Sequence, residues 1–505
     1  MLRLRLLLTP ILAALCIPGI AEAQQQTSGA QEGPSAARQR MNVLLITIDD
    51  LRPQLGSYGD SLVRSPNLDR LAAEGLVFLR QYVQVPTCGA SRYALLTGRR
   101  PRTPAHLSNE AFVELLPREE GDRPESLVHH FRRAGYRTVG IGKISHYPDG
   151  RVRAYDGSGD GRLEMPFSWD EMEGPIGRWG SAWNAFFGYG DGSSRNVRKT
   201  GRPAFEVAEV ADDALPDGMT AEAAVRKLGE LAAAEEPFFL AVGFFKPHLP
   251  FVAPRRYWEM YDPSAIPISP NPEAPVGVNR RSLHDSNELF RNYDSHPQRG
   301  GAGVRISDDY ARTLRHAYLA SVSYVDAQVG RVLAELDRLA LRDNTIVIVW
   351  GDHGWHLGDH TIWGKHTTFE RSLHSPLIMR VPGMIDPGRS TDAIVEAVDL
   401  YPTLAELCGL STPEGLDGQS FAKAFSDPAF RSDGLAYGYS QGRTTLRTDR
   451  FRITEYVDGE PRVELYDHAV DPLETRNVAA SHPEVVRELL PILRRHAPRA
   501  DRRPQ

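Results

Sequence analysis

Apolar runs recur along this chain at strand length, separated by stretches of helical spacing. Val43 to Ile48 and Ile346 to Trp350 are unbroken and β-branched, the pattern of strands buried on both faces. Phe238 to Val242 and Leu377 to Val381 read the same way, and Thr138 to Ile141 adds a shorter strand. Between them, helices are expected at Pro66 to Glu74, Ala90 to Leu96 and Ser126 to Ala134. Ala221, Val225, Leu228 and Ala232 define one helical face, and a long helix from Asp309 to Leu339 offers Leu314, Tyr318, Val325, Val329 and Leu336 to a core. Strands alternating with helices predict an α/β fold built on a mixed, mostly parallel sheet flanked by helices.

Past residue 425 the rhythm changes. Short segments at Arg443 to Arg447, Phe451 to Tyr456 and Arg462 to Tyr466, followed by a helix at Pro483 to Arg495, predict a small antiparallel sheet in a C-terminal subdomain, 426–505, after a main domain at 41–425. Residues 148–216 carry no regular period and read as a long ligand-facing loop; 247–275, rich in proline, and 276–307 read as further surface loops.

The first residues belong to neither domain. Arg3 and Arg5 precede the apolar stretch Leu6 to Ile20, and Ala21-Glu22-Ala23 is a small-x-small cleavage site, so 1–23 reads as an export signal. Pro10 and Pro18 interrupt the stretch, which also falls short of the roughly 20 residues that span a bilayer. Residues 24–40 are a polar spacer expected to be disordered. The mature protein is therefore expected to be secreted or periplasmic, with no membrane partner.

The chain has 505 residues, 41% of them apolar and 25% charged, with a formal charge of -6. An acidic chain is a poor general ligand for nucleic acid, so an anionic substrate needs a local basic pocket. Of three cysteines, Cys16 leaves with the signal. Cys408 lies in the apolar helical pattern Leu400 to Leu410 as a core residue, which frees Cys88 for chemistry.

Asp49-Asp50 and Asp352-His353 each close a buried strand. Ligands of open α/β sheets gather at carboxyl strand ends, so these pairs can meet. One such pair alone could cap a turn; three carboxylates together call for a cation, and oxygen donors favour calcium or magnesium. Lys143 and His146 follow one strand end, Lys246 and His248 another, and Lys365 lies in a loop after His353. Singly, each reads as a solvated charge or a satisfied histidine; jointly they describe an anion site. Arg92 falls one helical turn after Cys88, able to hold a group on Cys88 or the carboxylates. Arg99 and Arg100 either line the pocket or face solvent.

The segment Cys88-Gly89-Ala90-Ser91-Arg92, with Leu95-Leu96-Thr97-Gly98 after it, resembles the signature of the sulfatase family. Asp49-Asp50-Leu51-Arg52-Pro53, Arg64-Ser65-Pro66-Asn67-Leu68-Asp69, Phe245-Lys246-Pro247-His248 and Gly351-Asp352-His353-Gly354-Trp355 through Lys365 are similar to its iduronate-2-sulfatase branch. The resemblance runs in order from about residue 42 to Asn477, and departs from the pattern at Ala90, where the signature has Pro. It implies an alkaline-phosphatase-like fold and hydrolysis of O-sulfate esters of carbohydrates, such as a 2-O-sulfated uronic acid.

The same resemblance implies that a formylglycine-generating enzyme oxidises Cys88, and that calcium is held by Asp49, Asp50, Asp352, His353 and the group derived from Cys88. Lys143 and His146 would work on the formylglycine hydroxyls, with Asp352 helping to deprotonate one. Lys365 and His248 would bind the sulfate, His248 acting as acid for the leaving oxygen. Lys246, His356, His360 and His366 match the local motifs without an assigned role. Two other readings stay open: a formylglycine-dependent phosphodiester or phosphonate monoester hydrolase, and an inactive calcium-dependent glycan-binding protein with an unmodified Cys88.

Overall fold

Eight strands form the main sheet: β1 (Asn42–Ile48), β2 (Leu76–Tyr82), β3 (Arg137–Gly142), β4 (Glu171–Glu173), β5 (Phe238–Phe244), β6 (Thr345–Gly351), β7 (Leu377–Arg380) and β8 (Arg389–Glu396). Their order is β8-β2-β7-β6-β1-β5-β3-β4, and only β7 runs antiparallel to its neighbours. The computed structural model describes residues 40–496 except 155, 198–200, 235 and 295–297. The expected signal and nearly all of the spacer lie outside the described residues.

Alternation along β1 explains the layers. Leu44, Ile46 and Ile48 pack into one cluster with α4 (Pro216–Ala234) and α6 (Asp308–Arg338), while Val43 and Leu45 pack into another with α2 (Cys88–Thr97) and α3 (Leu127–Arg133). Two further helices matter below: α1 (Pro66–Glu74) and the short α5 (Asn287–Asn292). The core positions expected on α6 are all buried, and Ser307 caps its start by accepting from Tyr310 N at 3.4 Å.

Register decides where the chemistry sits. Ile48 pairs with Gly351 on one side and Phe244 on the other, and Gly142 pairs with Gly243. Asp49, Asp352, Lys143 and the segment 245–248 therefore leave the sheet at one level. The strands can close this tightly because Gly243 has no side chain: a Cβ there would stand 2.1 Å from Lys143 O.

Beyond the main sheet, β9 (Ala436–Ser440), β10 (Arg443–Arg447), β11 (Phe451–Tyr456) and β12 (Val463–Asp467) make an antiparallel meander covered by α7 (Pro483–Arg495). Its apolar face takes in Ala90 from α2, the residue that departs from the family signature. Beside it, Arg452 donates to Glu474 Oε1 at 2.7 Å and to Glu370, which also accepts from Arg447 at 3.3 Å. Glu370, His468 and Glu474 approach one another as a metal site would, but these two guanidiniums already neutralise them.

Several expectations need correction. β2 and β8 were not anticipated: β2 loses its apolar run at Arg80-Gln81, and the first half of β8 is partly exposed. The buried face of α4 is Ala221, Ala224, Leu228 and Leu231, one step away from the spacing expected, so Val225 and Ala232 are only half-buried. The region 148–216 contributes edge strand β4 and an aromatic cluster of Trp183, Phe186 and Phe187 packed with Tyr147 and Phe245. Residues 248–254 are buried, not surface loop, because Phe251 and Val252 join the core against α6. Cys408 is half-buried at the edge of its cluster.

Candidate functional site

Asp50 turns away from the end of β1 with φ of 60°, a conformation that Asp tolerates better than most residues. Tyr318 of α6 fixes this turn: its hydroxyl donates to Asp50 O at 2.8 Å and accepts from Arg52 N at 2.9 Å. Asp50 N donates to Asp352 Oδ1 at 3.0 Å, tying the two acidic strand ends together. α2 brings the start of its first turn to the same place, where Gly89 is needed because a Cβ would lie 2.5 Å from Asn109 O.

Cys88 Sγ stands at the centre, 3.3 Å from His353 Nε2 and 3.2 Å from Lys365 Nζ. Lys365 also donates to Asp50 Oδ1 at 2.7 Å, and Lys143 donates to Asp49 Oδ2 at 2.6 Å while lying over the Phe186 ring. Arg92, fully buried, donates to Asp352 Oδ2 at 2.9 Å, pairs with Asp49 Oδ1 at 3.4 Å, and donates to Thr47 Oγ1 at 3.1 Å and to the carbonyl of Lys143. It braces the carboxylates from behind.

Three side-chain cations thus answer three carboxylates, so charge repulsion alone does not demand a metal here. Hydrogen-bond accounting does favour one. Asp50 Oδ2 is buried without a hydrogen-bond partner. His353 Nδ1 bonds Gly354 O at 3.1 Å, which leaves Nε2 facing Asp50 Oδ1, 3.4 Å away, and Asp352 Oδ1, 3.6 Å away. Lone pairs facing one another in a dry site suit a cation between them. Ligand atoms of Asp49, Cys88, Asp352 and His353 lie within 4.8 Å of one another, and the oxygen-rich set fits calcium or magnesium better than a soft metal.

Burial pushes the Cys88 thiol up to about 12, with Asp49 adding to the shift and Lys143 opposing it. An unmodified thiol there is protonated and inert. Burial also works against ionisation of Asp49, yet Lys143, His248 and Arg92 hold its carboxyl well below the usual range. Asp50 goes the other way: burial outweighs Lys365 and raises it.

His248 closes the site from β5. Its Nδ1 donates to Leu249 O at 2.6 Å, its ring rests on Phe186, and its Nε2 meets Glu288 Oε1 of α5 at 3.1 Å. Glu288 Oε2 lies 3.8 Å from Lys365 Nζ. Lys246 faces elsewhere: Nζ donates to His248 O at 3.0 Å and Pro250 O at 2.6 Å, and its backbone N donates to buried Asp217 at 2.9 Å, so it shapes the turn that carries His248. A cleft of about 800 Å³ opens in front of α2, lined by Thr87, Asn109, Arg280, His284, His366 and Arg443 among others. Convergent buried charge, a cation cage and a basic cleft form a site for an anionic ester.

Residues 41–410 match the family model described as Sulfatase. A second model, N-sulphoglucosamine sulphohydrolase, C-terminal, matches 358–496. The chain belongs to the sulfatase family. Iduronate 2-sulfatase of Homo sapiens is 32% identical over 86% of this chain and 79% of its own. A Sulfatase of Formosa agariphila is 29% identical over 89% of this chain and 86% of its own. Among solved structures, the phosphonate monoester hydrolase of Agrobacterium radiobacter superposes with a TM-score of 0.72 at 26% identity, over 90% of this chain and 96% of that one. This sulfatase has the alkaline-phosphatase-like fold and is a sulfuric ester hydrolase.

Against the sequence reading, the sulfatase structure gathers Asp49, Asp50, Cys88, Arg92, Lys143, His248, Asp352, His353 and Lys365 within a few contacts of one another. His146 is buried nearby, its backbone N bonded to Glu164 Oε2 at 3.1 Å and its Nδ1 without a partner. His356 bonds Thr367 and the carbonyl of Asp359, and His360 bonds Asn271 and the carbonyl of Leu473, so both serve the loop that leads to Lys365. Arg100 pairs with Glu396 and its backbone N donates to Asp417 Oδ2 at 2.8 Å, at the far end of α2 and outside the cleft. Glu288 was missed: it lies in a polar stretch without a strand end, and only the packing of α5 reveals it.

Proposed function

We propose that this sulfatase is exported and hydrolyses O-sulfate esters of carbohydrates, using a nucleophile made from Cys88 by a formylglycine-generating enzyme and a calcium ion. The carrying observation is Cys88 itself. Its Sγ sits between the cation cage and Lys365 Nζ, 3.2 Å away, where an oxygen nucleophile would be effective. The names of similar proteins, iduronate 2-sulfatase above all, support a sulfated sugar as substrate.

Asp49, Asp50, Asp352, His353 and the group at position 88 would hold calcium, which would supply charge for a sulfate oxygen and acidify a bound hydroxyl. Formylglycine, once hydrated, would supply the attacking hydroxyl. Around it the chain's own groups divide the work. Lys365 and His248 face the place of the sulfate and neutralise its oxygens. His248 Nε2 hands a proton to the leaving sugar oxygen, because Nδ1 is already committed to Leu249 O. Lys143 and His146 attend the hydroxyls at position 88. Asp352, steadied by Arg92 and by Asp50 N, helps to deprotonate the attacking hydroxyl. The division into signal 1–23, spacer 24–40, catalytic domain 41–425 and C-terminal subdomain 426–505 belongs to the same reading.

Chain produced with and without a formylglycine-generating enzyme tests this directly. Mass of the peptide spanning Cys88 should fall on maturation, and sulfate release from defined sulfated oligosaccharides should appear only in the matured form. Turnover by a chain whose Cys88 is an intact thiol would sink the assignment.

The likeness to a phosphonate monoester hydrolase gives a second reading some weight. Parallel assays of phenyl phosphonate and aryl sulfate esters separate them: a larger kcat/KM on phosphonate would favour it.

A further inference from the structure

Arg443, the first residue of β10, is 8% exposed and lines the cleft in front of α2. It donates to the carbonyls of Arg281 and His366, its Nε is buried without a partner, and it makes no ion pair with any described residue. Glu464 contributes to the field around it but is taken up by Ser282 Oγ at 2.7 Å, Tyr456 OH at 2.9 Å and Asn279 N. A buried guanidinium with no counter-ion is costly unless a ligand supplies one. Arg280, exposed on the same cleft, is likewise without an ion pair among the described residues, whereas Arg281 is paired with Asp458 at 2.6 Å.

This cluster borders the reaction centre without belonging to it. The His366 carbonyl that Arg443 holds directly follows Lys365, and His366 Nδ1 bonds Thr87 Oγ1 at 3.0 Å, the residue before Cys88. A ligand whose sulfate meets Lys365 and His248 would therefore pass Arg443 with its next substituent or next sugar. Asp285 and Glu460 also line the cleft, but both are exposed and remain solvated.

We propose that Arg443, with Arg280, forms a second oxyanion subsite that takes a carboxylate or a further sulfate carried by the same molecule as the sulfate being removed. The proposal rests on the sulfated-carbohydrate reading above and narrows it to substrates with two anionic groups. The planar fork of Arg suits either group in a bidentate contact.

The test is a specificity ratio measured within each enzyme. Matured wild type, Arg443→Gln, Arg443→Lys and Arg280→Ala are assayed on a monosulfated neutral disaccharide, its uronate-containing counterpart and a disulfated counterpart. The ratio of kcat/KM for either doubly anionic sugar over the neutral one should fall about ten- to hundred-fold in Arg443→Gln, less in Arg443→Lys and in Arg280→Ala. A general loss of folding cancels in the ratio, and Arg280, on the surface, checks the cleft without touching the carbonyl contacts of Arg443. The arm that falls names the anion. Unchanged ratios in both Arg443→Gln and Arg280→Ala overturn the subsite. Wild type that releases no sulfate from any sugar overturns the carbohydrate reading, and the subsite with it.

Discussion

Glu288 Oε1 lies 3.1 Å from His248 Nε2 while the other nitrogen of that ring donates to Leu249 O. With Nδ1 committed, Nε2 of a neutral ring is a lone pair, and a lone pair does not rest against a carboxylate. Glu288 therefore favours a proton on His248 Nε2. Burial and Lys365 pull the ring toward its neutral form, and Glu288 opposes them. Replacing Glu288 by Gln should weaken proton delivery most where the leaving group needs it. Plots of log kcat/KM against leaving-group pKa should steepen, with sugar sulfates losing about 10²-fold relative to nitrophenyl sulfate. Parallel plots for variant and wild type would reduce Glu288 to a packing residue.

The cation cage predicts a stability effect that needs no turnover. Calcium at a hundred times its dissociation constant should stabilise the fold by about 2.7 kcal/mol, read as a rise in melting temperature that chelation reverses. Asp50→Asn removes a donor and should abolish most of that rise. A variant that keeps the whole shift would place the ion elsewhere.

Cys88→Ala should cut sulfate release at least 10³-fold while leaving the melting temperature close to that of wild type, since a small buried side chain is replaced by a smaller one. The unmatured native protein should resist alkylation at Cys88 at neutral pH, because the thiol is held near 12. Rapid labelling in the folded state would contradict that burial.

Glu164 gives a pH signature. Burial raises it to about 7, against bonds from Ser145 and from the backbone of Tyr147 and His146. Below pH 4.5 both folded and unfolded chains hold this proton and it contributes nothing. Between 4.5 and 7 only the folded chain keeps it, so stability falls as pH rises; above 7 the full cost, on the order of 3 kcal/mol, is in place. Glu164→Gln should therefore gain on wild type between pH 5 and pH 8 in denaturant melts. A difference that stays flat with pH would show that Glu164 ionises normally.

Much of this site could be read before any coordinates because its residues follow strand ends, and hydrophobic runs mark strand ends clearly. Asp49, Asp352, Lys143 and His248 are of this kind. Residues that reach the site by tertiary packing left no such mark. Glu288 arrives on a six-residue helix in a polar stretch, and Arg443 arrives from another sheet altogether. Tyr318, expected only as a core position, also fixes the Asp50 turn through its hydroxyl. The fold was legible for the same reason: β1, β5 and β6 are continuous apolar runs, whereas β2 and β8 mix polar residues into theirs and escaped notice.

The Glu370–Arg452–Glu474 cluster has a practical consequence for anyone trimming this chain. A fragment that stops near residue 425 would strand Glu370 in the interior opposite Tyr82 with neither guanidinium, uncover Ala90 on the helix that carries Cys88, and remove one wall of the cleft. Residues 426–496 are therefore not an appendage to an enzyme that works without them, and expression should keep them.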